Sequence, residues 1–142
     1  MIRRLLHIDG WTVHFYFAPD GYDEEELLNL LYDLDASDDI LVRASRKIRT
    51  RRTNEGFAYS NPYLRQAVIV VGPATSGEQY LNSIVHEIHH HSVAIADELG
   101  TDLKGEVPAY IAGDTAEVLV DIICMLGCGC RKNGEKVANQ KK

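Results

Sequence analysis

Residues 66–100 read QAVIVVGPATSGEQYLNSIVHEIHHHSVAIADELG, and their change of rhythm sets the frame for the whole chain. Ala67 to Val71 is β-branched and almost wholly apolar, the pattern of an inner strand covered on both faces. Gly72-Pro73 ends that strand. From about Ser76 to Leu99 the spacing becomes helical, and Gly100 supplies the stop. With His86 as origin and about 100° per residue, Ser83, His86, Glu87, His90, Ala94 and Asp97 share one face. Leu81, Ile84, Ile88, Ile95 and Leu99 share nearly the opposite one. The helix therefore has an apolar back for a core and a polar front.

That polar front carries His86-Glu87-Ile88-His89-His90, an HExxH pentapeptide. Two histidines four apart differ by about 40° around a helix and by one turn along it. Their imidazoles can converge on one zinc ion. Glu87 lies on the same side, where it can take a proton from a metal-activated water and pass it to a leaving group. His89, at a variable position of the pattern, and His91, just after it, are read as exposed or as competing donors.

A zinc site needs a third protein ligand, and two carboxylates downstream are candidates. Asp97 shares the helical face but lies roughly 10 Å further along the axis, too far to reach the same ion. Glu106 follows a turn at Gly100 to Gly105 and heads the next helix, which can fold back toward the metal. Glu106 is the preferred ligand. On its helix Tyr110 and Asp114 continue the same stripe. Tyr110 can donate a hydrogen bond to the oxyanion of a tetrahedral intermediate. Asp114 can orient a ligating histidine, or belong to a solvated polar stripe.

Working outward, Phe57 to Ser60 is a second strand, joined to Gln66–Val71 across Asn61-Pro62. The helix that starts near Glu106 or Pro108 is expected to run to about Gly127. Upstream, Leu5 to Ile8 and Trp11 to Phe17 form a hairpin around Asp9-Gly10. Asp23 opens a helix with Glu26 as its capping-box partner and Leu27, Leu28, Leu31 and Leu34 as its apolar face. A second helix is expected from Ser37 to about Arg52, broken by Asn54-Glu55-Gly56. The resulting class is α+β, a short twisted sheet with two long C-terminal helices forming the metal site. One domain spans residues 1–130, followed by a polar tail over 131–142.

Composition narrows the function classes. The chain has 142 residues, 45% hydrophobic and 25% charged, the profile of an ordinary globular domain. Its net charge of -6 argues against general attraction to nucleic acid or anionic membrane. Arg43, Arg46, Lys47, Arg49, Arg51 and Arg52 form a basic run, read as a solvated helix face paired with the acidic stretch from Asp20 to Asp39. No apolar run approaches the roughly 18 residues of a membrane helix, and no signal-peptide core precedes Asp9. Cys124, Cys128 and Cys130 are odd in number and clustered, which suits free thiols in a reducing cytoplasm. His7 and His14 read as sheet residues.

The stretches Gly56-Phe57-Ala58-Tyr59-Ser60-Asn61, Arg65 to Gly72, His86 to His90 and Gly105-Glu106-Val107-Pro108-Ala109-Tyr110-Ile111-Ala112-Gly113 also carry a resemblance. Together, over roughly residues 54 to 115, they resemble small metallopeptidases encoded by phages, prophages and other mobile elements, related in pattern to minimal gluzincins. The resemblance implies a zincin-like fold, a bound zinc and a peptide or protein substrate. It favours Glu106 as third ligand, and it implies that the strands from Phe57 to Val71 present an edge to the substrate. The flanking His89 and His91 depart from the pattern. The alternative is a catalytically silent, metal-binding interaction module of such an element.

Overall fold

The computed structural model describes residues 2–17, 23–49 and 56–127. Four strands form one mixed sheet in the order β1-β2-β4-β3: β1 (Ile2–Ile8), β2 (Trp11–Phe17), β3 (Phe57–Asn61) and β4 (Gln66–Val71). The hairpin β1–β2 is antiparallel and turns on Asp9 and Gly10, both at positive φ. That is the backbone a two-residue primed turn requires. The pairing of β2 with β4 is parallel, from Thr12↔Gln66 to Phe17↔Val71, while β3 and β4 are antiparallel. So β4 is an inner strand, and β1 and β3 are the two edges.

Alternation on β2 and β4 feeds two cores. Val13, Phe15, Phe17, Ala67, Ile69 and Val71 face one side. Tyr16, Val68 and Val70 face the other. On the second side lie α1 (Glu24–Asp33) and α2 (Asp38–Arg49), which contribute Leu27, Leu31, Leu34, Ala44 and Ile48. Asp23 caps α1 by accepting from the Glu26 N–H at 3.1 Å. The first side is covered by α3 (Gly77–Glu98), α4 (Glu106–Val118) and α5 (Val120–Gly127). Helix, sheet and helix make three layers. Among the described residues no helix is long and apolar enough to cross a membrane.

The basic face of α2 is engaged. Arg49 pairs with Glu24 of α1 at 2.7 Å, Arg43 pairs with Asp39, and Ser45 donates to Glu24. The expected extension of this helix to Arg52 falls outside the described residues, as do Cys128, Cys130 and the tail. Cys124 is an exposed free thiol on α5. His7 meets Thr12, and His14 meets Gln66 across the parallel pair, so both belong to the sheet.

Two expectations need correction. The last helix is not continuous: it breaks at Leu119, whose N–H bonds back to the Ala116 carbonyl in a tightened turn. Leu119, at the break, and Ile122, just beyond it, are both buried in the core. On α3, Leu81 and Leu99 are exposed although they lie on the apolar side of the wheel. Both lie toward the ends of the helix, Leu81 in its second turn and Leu99 at its C-cap, while Ile84, Ile88 and Ile95 between them are buried.

Candidate functional site

The site is built on the middle of α3. Ser76 caps this helix by accepting from the Gln79 N–H at 3.1 Å. The Gln79 side chain in turn accepts from the Thr75 N–H and hydroxyl, each at 2.8 Å. Ile84, Ile88 and Ile95 seat the helix on the sheet. This fixes its rotation, so that His86 and His90 emerge on the solvent side with their Nε2 atoms 3.0 Å apart.

That separation tests the fit to zinc. Two Zn–N bonds of 2.0–2.1 Å at the tetrahedral angle hold their nitrogens about 3.3 Å apart. The pair lies within a few tenths of an ångström of that bite, and imidazole is a suitable donor. The same spacing also accommodates a hydrogen bond with one ring as donor. Among the described residues, no three His, Cys, Asp or Glu side chains form a group able to hold a metal ion. The fit is therefore that of two donors, with the third outside the group.

Glu87 is turned inward, with 4% of its surface exposed, between α3 and the start of β3. Burial raises its carboxyl pKa, and the charges of His86 and Lys47 partly oppose the rise. His90 is shifted down, by burial first and then by the neighbouring charges of His86, His89 and Lys47. Gly56 makes room for this arrangement. A Cβ there would lie 2.2 Å from the Val70 carbonyl oxygen and 3.2 Å from Glu87 Oε1. Between α3 and the β3 edge runs a cavity of about 620 Å³, lined by Gly56, Ala58, Ser83, His86, Glu87 and His90 among others.

The structure thus brings His86, Glu87 and His90 together at one groove. It does not bring in the α4 residues. Glu106 is exposed in the first turn of α4, and Tyr110, on the same face, is 66% exposed. Neither lines the groove, which is formed by a helix and an edge strand instead of by two helices. Asp114 stands beside Asp9 of the hairpin turn; burial, and then Asp114 itself, raise the Asp9 pKa.

His91 is not exposed. Its ring is fully buried edge-on against Trp11, and neither ring nitrogen has a hydrogen-bond partner among the described residues. At about 140° from His86 on the wheel it points to the core, a signal present in the sequence. His89 is exposed beside His90. Sequence reasoning missed Gly56 and Lys47 as groove residues, since one reads as a helix breaker and the other as part of a basic run.

No protein-family model, no curated protein and no solved structure matches this chain.

Proposed function

We propose that this chain is a zinc-dependent metallopeptidase of the zincin type, hydrolysing peptide bonds with a metal-activated water. The observation that carries the reading is the pair of Nε2 atoms 3.0 Å apart on one helix face, next to a buried glutamate at an edge-strand groove. Zinc, when bound, supplies a Lewis acid that lowers the pKa of water and polarises a carbonyl. His86 and His90 are the residues that would hold it. Glu106 is the residue we assign to the third position, from its place in the sequence at the head of α4; it does not line the groove as described, so this role would require the head of α4 to approach the two imidazoles.

Glu87 removes the proton from the attacking water and delivers it to the leaving amine. A raised carboxyl pKa suits a group that must both accept and return a proton. The outer edge of β3 offers main-chain N–H and C=O groups to an extended peptide. Tyr110 and Asp114 lie outside the groove, so a role for Tyr110 at the oxyanion or for Asp114 behind a ligating histidine would require the same approach of α4. The resemblance to phage and mobile-element metallopeptidases favours the same reading, and the odd, clustered cysteines favour a reducing, cytoplasmic setting.

The test is metal analysis of the purified protein, followed by a peptide-library screen of wild type and Glu87→Gln. Glu87→Gln should keep its zinc and lose turnover by about 10²-fold or more. Full activity in Glu87→Gln would contradict the mechanism. Zinc bound with no peptide cleaved would turn the reading to a silent interaction module.

A further inference from the structure

One side chain in the groove has no part in the chemistry above. Lys47 leaves α2, in the helix layer on the opposite face of the sheet, and its Nζ donates to the Gly56 carbonyl at 3.2 Å. It lines the same cavity as His86, Glu87 and His90, and its charge acts on both Glu87 and His90. Gly56 immediately precedes β3, so its carbonyl lies at the end of the free edge. An added strand draws its affinity from such main-chain groups. Here that carbonyl is already taken, and what stands at the end of the edge is an ammonium.

Among the described residues lining the groove, Lys47 is the only permanent cation and Glu87 the only carboxylate. A peptide lying along β3 would therefore meet a positive charge beside Gly56. We propose that Lys47 is a specificity-determining residue, selecting peptides that place a carboxylate at the Gly56 end of the groove. The carboxylate is either a free C-terminus or an Asp or Glu side chain. The inference rests on the peptidase reading of the same groove.

The test compares three N-acetyl alanine tripeptides: one with a free C-terminal carboxylate, one with a carboxamide, and a carboxamide with one alanine replaced by glutamate. Binding is measured by calorimetry on zinc-loaded Glu87→Gln protein, and cleavage on the zinc-loaded wild type. Carboxylate-bearing peptides should be preferred about tenfold in both readouts at low salt, and the preference should shrink in 0.5 M salt. Preference for the free-carboxylate peptide alone identifies a chain terminus; preference for the glutamate peptide as well identifies a side chain. Lys47→Met should abolish the preference, and Lys47→Arg should keep it. A zinc ion in the groove would itself attract a carboxylate, so the preference must also fall in Lys47→Gln, which keeps a donor for the Gly56 carbonyl; a preference undiminished in both Lys47→Met and Lys47→Gln would overturn the role of Lys47. Equal binding and cleavage of all three peptides would overturn the role of Lys47 and leave the peptidase standing. Zinc-loaded protein that neither binds nor cleaves any peptide would overturn both.

Discussion

Gly56 is held to glycine by space and not by backbone conformation. A methyl group there would overlap the Val70 carbonyl and press on Glu87. Backbone cannot move aside as a flexible side chain can, so Gly56→Ala should cost about 1–3 kcal/mol in urea unfolding. Unchanged stability would show that the start of β3 yields freely. His91 carries a second residue-scale prediction. Burial lowers its pKa to about 4, against 6.5 for an ordinary histidine. The unfolded chain binds a proton near pH 6.5 and the folded chain only near pH 4. Stability is thus complete above the unfolded value and falls as pH drops through this window, by about 3 kcal/mol at most. His91→Met fills the space with a side chain that does not titrate. It should flatten unfolding free energy against pH between about 6.5 and 4 relative to wild type. An identical pH slope in the two proteins would contradict the assignment.

At the scale of elements, what is local was legible. Asp9-Gly10 announced the hairpin, Asp23 the start of α1, and the run Ala67 to Val71 an inner strand, because each depends on a few adjacent residues. Ser76 belongs to this class. Ser76→Ala removes the acceptor for the Gln79 N–H and should lower stability by about 1 kcal/mol, with Ser76→Asp restoring most of it. A melting temperature unmoved by Ser76→Ala would mean that the Thr75–Gln79 bonds hold the first turn alone. The break between α4 and α5 was not legible. No glycine or proline marks Leu119, and its apolar spacing to Ile122 is the same as in an unbroken helix, so nothing local announces the tightened turn. Exposure of Leu81 and Leu99 was hidden for the same reason: periodicity gives a face, and only the neighbours decide how much of it is covered.

For the whole molecule, the parallel pairing of β2 with β4 is the feature that places the site. It sends the chain through α1 and α2 on one face before β3 and β4 return, and it leaves β3 as an edge beside α3. The motif fixed which three side chains share a helix face, but the sheet order decided that β3, and not α4, closes the groove around them. Lys47 reaches that groove only because α2 ends where β3 begins, a juxtaposition no spacing rule contains. Glu106 shows the converse: it follows the motif in sequence and is not among the residues that line the groove. The account depends on two imidazoles and one buried carboxylate acting around a metal. The most direct measurement is zinc stoichiometry by elemental analysis of wild type and His86→Ala after dialysis against a metal-free buffer. The account predicts one equivalent retained by wild type and a loss of nearly all of it in a folded His86→Ala protein. Zinc absent from wild type, or held equally by the variant, would contradict it.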